Sequence, residues 1–243
     1  MATKLSGQIQ VNARGLFSSG GDTSQEHDLG GRVETSDGRV FRYVFCTPTA
    51  LVAGNLLQGL PENTNHQNRT VGTAAAIGDT VVEFSLGAAA AGFNQYAGGY
   101  LIVTTTPGNG YAYKIKGHAA IASSGAAVIN LEDPIEVALT TSSVVDLVVN
   151  PYSAVRQMPT TATSSPIGAA VDIISAGRYG WVQTKGPAAL LAAGALSVGN
   201  NVQASTAVAG AVSNVITTAP GIVGYALTGV ADTENGAVFL TIG

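Results

Sequence analysis

The stretch GYLIVTTTPGNGYAYKIKG, residues 99–117, is the part of the sequence that says most about the fold. Two runs in it, residues 99–105 and 111–117, are rich in β-branched and aromatic side chains, which favour extended strands. Between the runs, Pro107-Gly-Asn-Gly110 supplies the residue types that tight turns need. The stretch therefore predicts two antiparallel strands joined by a hairpin turn.

Short apolar runs bounded by Gly, Asn or Pro recur along the chain and predict further strands. These runs are residues 39–45, 80–86, 126–131, 144–149, 180–186, 190–192, 201–205, 221–227 and 237–242. Residues 47–53 fit either a short helix or an extended segment, because Thr47 and Pro48 suit a helix start whereas Gly54 interrupts it. Strands spaced by about 8 to 15 residues, with turns between them, are typical of β-sandwiches and β-barrels.

The predicted fold class is all-β, with two β-sandwich or β-barrel modules and an extended N-terminal arm. Residues 1–65 form the arm with a short strand or helix segment, and residues 66–150 form the first module. Pro, Thr and Ser dominate residues 151–165, which predicts a linker. Residues 166–243 form the second, barrel-like module.

The N-terminal segment has a weak strand pattern over residues 1–32 and contains the Gly- and Ser-rich run 18–24. Such a segment buries little apolar surface by itself, so we expect its order to come from a partner. Residues 1–42 are the best candidate for an arm that reaches a neighbouring subunit. Deletion of residues 1–32 should then leave both modules folded and weaken assembly.

Charge is scarce in this chain: Asp, Glu, Lys and Arg make up 11% of its residues, against about 25% in an ordinary soluble domain. No apolar run reaches the roughly 18 residues of a membrane span. The net charge is −4, and the densest basic group is Arg32, Arg39 and Arg42, which argues against nucleic-acid binding. Surfaces of Thr, Ser, Asn and Ala suit a protein that packs among copies of itself.

The candidate metal ligands do not form a recognisable motif. His27, His66 and His118 stand far apart, and none has a His or Cys partner at ligand spacing. We interpret each as a surface or turn residue, and Glu26-His27-Asp28 as a solvated loop rather than a cation site. Nucleotide-binding glycine motifs are absent, so we expect no cofactor and no metal.

The acidic pair Glu132 and Glu136 is the main candidate for catalysis. Glycoside hydrolysis needs two carboxylates about 5–10 Å apart, which this spacing could give. Sugar clefts also need aromatic platforms, and aromatic residues make up 6% of the chain. We therefore interpret the pair as a strand exit and predict no catalytic residues.

Three other residues have a functional and a structural interpretation. Cys46, the single cysteine, is expected to be a buried, inert thiol. Asn68-Arg-Thr70 matches a glycosylation sequon, but no secretory signal is visible and we treat the match as chance. Trp181 is expected to anchor a core, the alternative being an interface hot spot.

Several stretches resemble virion structural proteins of tailed bacteriophages. They are residues 94–103, 107–118, 131–135 and 150–152. Gly180-Trp-Val-Gln-Thr-Lys-Gly-Pro-Ala188 and residues 221–227 resemble the small β-barrel modules of phage head-decoration proteins. The resemblance covers about residues 70–243 and implies a capsid-associated β protein, often trimeric, with no catalytic residues to carry over.

The sequence and the resemblance together predict a non-enzymatic protein that decorates and stabilises the capsid exterior. Its expected partners are the major capsid protein and two further copies of itself, with neither nucleic acid nor membrane. It would be made in the host cytoplasm and end on the virion surface. The alternatives are a tail, fibre or other shell component, or a carbohydrate-binding adhesin or glycan-degrading enzyme.

Overall fold

A computed structural model describes residues 10–11, 16–18, 20–215 and 221–243. These residues form strands and turns with one short 3₁₀ helix, Thr64–His66, which confirms the predicted all-β class. The strands, in chain order, are β1 Gln10–Val11, β2 Arg32–Thr35, β3 Val40–Phe45, β4 Leu56–Gln58, β5 Arg69–Thr73, β6 Val81–Ser85, β7 Tyr100–Val103, β8 Ala112–Gly117, β9 Ala126–Leu131, β10 Val144–Val148, β11 Arg156–Gln157, β12 Pro166–Ala169, β13 Tyr179–Leu191, β14 Asn201–Ala204, β15 Val212–Asn214, β16 Ile222–Ala226 and β17 Asn235–Thr241.

The chain divides into two compact units. One, the barrel unit, is Pro61–Asn150, and the other, the sheet unit, combines Met1–Leu60 with Pro151–Gly243. The barrel unit ends at Asn150, as the first predicted module does, but it begins at Pro61 rather than at residue 66, and residues 151–165 belong to the sheet unit. The segment predicted as an arm with a short strand contributes β1 to β4 to the same sheet as β12 to β17.

Six antiparallel strands form the barrel unit and close in the order β10-β5-β6-β9-β8-β7. Along β9 buried and exposed residues alternate, and Ala127, Ile129 and Leu131 point into the core. This period of two gives each strand one apolar face, and closure of the barrel turns those faces inward. The predicted hairpin over residues 99–117 is the β7–β8 pair, with Gly108 and Gly110 at φ +89° and +88° in its turn.

The sheet unit is organised around β13, which has 13 residues. Tyr179 to Lys185 pair with β3, and Lys185 to Leu191 pair with β17. A register shift between Gln183 and Lys185, followed by Gly186 at φ +89°, marks the change of partner. We predicted two separate strands here, at residues 180–186 and 190–192. The bulge allows one strand to bend and continue.

Two segments outside the predicted modules differ from expectation. Residues 47–53 are not helical, and Leu51 forms a bridge with Ile174. Residues 151–165 are not a free linker, because β11 pairs with β4 and Val155 forms a bridge with Cys46. In both segments the partner lies far away in the sequence, so local composition gave no sign of the pairing.

Part of the predicted arm lies outside the described residues, namely 1–9, 12–15 and 19. The described part contacts its own unit. Strand β1 pairs in parallel with β2, and Leu16 and Phe17 pack against a cluster formed by Phe41, Tyr43 and Trp181. We therefore expect deletion of residues 1–32 to destabilise the sheet unit, in contrast to the prediction made from the sequence.

Changing Gly224 to Ala tests the close approach of β16 to β17. A Cβ at this position would overlap the backbone oxygen of Phe239, and neither strand can move without losing ladder bonds. We expect Gly224→Ala to lower the free energy of unfolding by about 3 kcal/mol. Urea unfolding followed by fluorescence of the single Trp181 measures it. Gly221→Ala, where no atom of the described residues lies within 4 Å, is the control and should change little.

Changing Tyr43 to Phe tests the contact between the N-terminal segment and the sheet. The Tyr43 hydroxyl donates to Asp22 Oδ2 at 2.8 Å and accepts from the Glu26 N–H at 3.3 Å. Its removal should cost about 2 kcal/mol, since hydrogen bonds to charged groups are the stronger ones. Tyr179→Phe is the matched control, because its ring stacks on Tyr43 and no hydroxyl contact is involved. Equal effects of the two variants would contradict the role of the Asp22 contact.

Candidate functional site

The three histidines fall in different environments. His27 lies on an exposed loop of the sheet unit, with its ring 5.1 Å from the rings of both Tyr43 and Trp181. His66 and His118 are buried in the barrel unit, on either side of Tyr96. We predicted surface or turn positions for all three. His66 does lie in a turn, but it and His118 belong to the interior.

The hydrogen-bond partners of these rings define their tautomers. His66 Nε2 faces the Ala89 carbonyl at 3.1 Å, and a carbonyl can only accept, so Nε2 carries the proton and Nδ1 accepts from the Tyr96 hydroxyl. His118 Nδ1 faces the Ala119 carbonyl at 2.7 Å and donates to it. His118 Nε2 then accepts from the Tyr96 N–H at 3.1 Å. Both imidazoles are neutral in this arrangement.

Burial changes the pKa values of His118 and Tyr96. Desolvation lowers the pKa of His118 below its ordinary value, and the neighbouring His66 acts in the same direction. Desolvation raises the pKa of Tyr96 to about 12. All four ring nitrogens of His66 and His118 are already engaged, so neither ring offers a lone pair to a metal. Among the described residues no group of three or more His, Cys, Asp or Glu could hold one.

A surface loop, residues 87–99, is held in place by His66, Tyr96 and His118. We call it the Phe93 loop. Within this loop, the Ala89 carbonyl accepts a hydrogen bond from His66, and the Tyr96 N–H donates one to His118. The His118 backbone also exchanges hydrogen bonds with Asn94, at 2.9 and 3.1 Å. The Phe93 side chain is 74% exposed at the tip. No charged residue occurs from Leu86 to Tyr113, so the loop presents an uncharged surface with an aromatic tip.

The two candidate carboxylates have separate surroundings. Glu132 pairs with the Lys114 ammonium at 3.0 Å, and both side chains are partly exposed. The Glu136 N–H donates to the Tyr113 hydroxyl at 3.2 Å. Tyr113 is buried, and Tyr111 stacks on it with ring centroids 6.0 Å apart. The structure therefore gives Glu132 a cation partner, and the exposed rings nearest to this region are Tyr111, which stacks on Tyr113, and Tyr100, which lies opposite Lys114.

Trp181 and Cys46 occupy the core positions predicted for them. Trp181 is 6% exposed and packs with Phe41 and Tyr43, which confirms its role as a core anchor. Cys46 is fully buried with its Sγ 3.0 Å from the Thr49 carbonyl. Burial raises the pKa of this thiol, which keeps it protonated and unreactive.

The arginines near the N-terminus engage local partners. Arg32 pairs with Glu34 at 2.7 Å, and Arg39 pairs with Asp37 at 2.8 Å. Arg42 donates to the Gly30 carbonyl at 2.9 Å. These contacts offset the charge of the densest basic group in the sequence. The absence of nucleic-acid binding stays a prediction.

The sheet unit carries an exposed apolar surface that the sequence analysis did not identify. Its members lie opposite one another on β13, β17 and β16, and we call it the Tyr225 face. It comprises Pro187, Ala189, Tyr225, Ala237 and Phe239. The Tyr225 and Phe239 rings stack with centroids 5.1 Å apart and planes 9° apart. Tyr225 is 37% exposed, the five members are uncharged, and Lys185, the next exposed residue on β13, lies at their border. Alternation in β16 and β17 was visible in the sequence, but the order of the strands was not.

Comparison with protein families, with curated proteins and with solved structures finds no match to this chain. No helix among the described residues is long and apolar enough to cross a membrane.

Glu132→Gln tests whether the Lys114 pair contributes to stability. Both side chains are about 40% exposed, so solvent screens the pair and the loss should stay below about 1 kcal/mol. Urea unfolding followed by circular dichroism measures it, with Glu62→Gln as a control on an exposed turn. A loss above about 2 kcal/mol would show that the pair holds the loop after β9 in place.

Proposed function

We propose that this chain is a non-enzymatic structural protein of a phage particle that decorates and stabilises the capsid exterior. The observation that supports this most strongly is the Tyr225 face, an uncharged aromatic surface on a continuous sheet. Exposed apolar patches on stable β scaffolds are typical of interaction surfaces. Aromatic rings at the centre of such a patch supply most of the binding energy.

The proposed mechanism is burial of apolar surface between adjacent subunits. The chain would assemble as a homotrimer at the local three-fold positions of the shell, in contact with the major capsid protein. Each contact can be weak, because several contacts made at once raise the effective affinity. The net charge of −4 favours the outside of the shell over the inside, which faces DNA.

Binding to shells is the direct test. Shells assembled from the major capsid protein of the same phage are mixed with the wild-type chain, with Tyr225→Lys or with Ser36→Lys. Ser36 lies exposed in the turn between β2 and β3, so its variant adds the same charge away from the face. Co-sedimentation and light scattering should show a wild-type trimer that binds the shells, and about 30-fold weaker binding for Tyr225→Lys.

Two results would contradict this proposal. If the wild-type chain is a monomer and does not sediment with the shells, it does not have the capsid role. If Tyr225→Lys binds the shells as tightly as the wild type, and its unfolding curve followed by Trp181 fluorescence is also unchanged, the Tyr225 face does not form the contact. Binding to a host polysaccharide that is abolished by Glu132→Gln would favour the carbohydrate-binding alternative instead.

A further inference from the structure

The proposed function assigns no role to a buried polar group in the barrel unit. This group consists of His66, Tyr96 and His118. Its hydrogen bonds are all satisfied when both rings are neutral. His118 is 3% exposed and His66 is fully buried, so water cannot take the place of a lost partner without opening the structure.

The two histidines differ in how they tolerate a proton. If His66 gained a proton at Nδ1, the Tyr96 hydroxyl could rotate and accept from it. If His118 gained a proton at Nε2, that N–H would face the Tyr96 backbone N–H, which cannot rotate. Two donors would then point at each other in the core, and one of them would have to leave. His118 is therefore the ring whose protonation breaks a contact.

The surroundings of His118 contain no charge that would stabilise its protonated form. The titratable groups that face it are Tyr96, from the Phe93 loop, and His66, from the 3₁₀ helix. Asn94, from the same loop, is neutral and contacts its backbone. No carboxylate is hydrogen bonded or ion-paired to any of the three rings in the barrel unit, all of which the structure describes. A proton on His118 thus meets desolvation and a second donor, with no compensating anion.

The contact that would break is one that positions a surface loop. Tyr96 lies in the Phe93 loop, three residues after the exposed aromatic tip. The loop is also tied to the segment after β8 by Ala91 and Ile121, which exchange two hydrogen bonds of 2.9 Å. On either side of Tyr96, Asn94 bonds to the His118 backbone, and the Gly98 N–H donates to the Ile115 carbonyl at 2.8 Å. Loss of the Tyr96 anchor would therefore loosen the turn between Asn94 and Gly98 while these ties remain.

We propose that His118 is an acid-sensitive latch for the Phe93 loop: the neutral imidazole holds the loop through the Tyr96 N–H, and protonation releases it. The turn around Tyr96 would thus be closed at neutral pH and would open more often in acid. This inference does not depend on the capsid role.

The direction of the pH dependence follows from the lowered pKa of His118. In the released state the ring has the ordinary pKa of about 6.5, and in the latched state a lower one. The released state therefore binds more protons between these two values. The latch is fully effective above about pH 6.5 and weakens as the pH falls toward the latched pKa, by up to about tenfold in the opening constant per pH unit.

Hydrogen exchange of the full-length chain tests the latch. The protection factor of the Tyr96 amide is measured by NMR from pH 7.5 to pH 5, after correction for the intrinsic exchange rate. We expect it to fall up to about tenfold per unit below pH 6.5. Nitrogen-15 labelling of histidine reports the tautomers at the same time, and Nδ1–H is expected for His118. Amides of β14 and β17 in the sheet unit should keep their protection.

His118→Gln and His27→Gln are the paired variants. A glutamine Oε1 can accept from the Tyr96 N–H but does not titrate near neutral pH, so His118→Gln should keep the loop protected across this range. His27→Gln changes an exposed histidine and should behave as the wild type. If His118→Gln does not fold, two measurements on the wild type test the proposal: the tautomer of His118, and the protection of the Tyr96 amide when His118 gains a proton. An Nε2–H tautomer, or protonation of His118 without loss of Tyr96 protection, would overturn the proposal. Acid sensitivity that persists in His118→Gln would also overturn it.

Discussion

The sheet unit depends on one strand that pairs with two different partners along its length. At the change of partner, β13 bends around Gly186, and the side chain of Gln183 spans the bend. Gln183 Nε2 donates to the carbonyls of Lys185 at 3.0 Å and Pro187 at 2.8 Å. Because Gln183 is fully buried, these bonds form away from competing water. The bend brings β3 and β17, from opposite ends of the chain, into one sheet, and the Tyr225 face exists only because β17 lies between β13 and β16.

Local pattern predicted the strands well where pairing is local. In the barrel unit, the predicted runs at residues 80–86, 99–105, 111–117, 126–131 and 144–149 each contain a strand. The pattern missed β5, because Gly72 and three polar residues hide its alternation. It placed the end of the barrel unit at residue 150, as observed, but its start at residue 66 instead of Pro61, and it predicted a linker at residues 151–165 where β11 pairs with β4. Pairing of β3 with β13 depends on contacts between distant residues, and hydrophobic periodicity carries no information about the partner of a strand.

The candidate sites were less predictable than the fold for the same reason. His66 and His118 have no motif spacing, and they meet only because a 3₁₀ turn and the end of β8 converge on Tyr96. Sequence reasoning treated each histidine singly and assigned them to the surface or to turns. Trp181 and Cys46 were predicted correctly, because a lone aromatic residue and a lone thiol in a β protein usually belong to the core.

The shortage of charge links these features. The side-chain ion pairs among the described residues, Arg32–Glu34, Arg39–Asp37 and Lys114–Glu132, all lie at the surface. Tyr43 and Thr35 donate to the carboxylates of Asp22 and Asp37, whereas the hydrogen bonds of the buried histidines are made with neutral partners. A neutral network is stable while its members stay uncharged, and it fails when one gains a proton with no anion nearby. Among the buried groups, histidine alone has an ordinary pKa within reach of mild acid. Both buried histidines belong to the barrel unit, whereas the Tyr225 face of the sheet unit contains no titratable group except the tyrosine phenol. The shortage of charge therefore leaves the Tyr225 face without a group that titrates in mild acid.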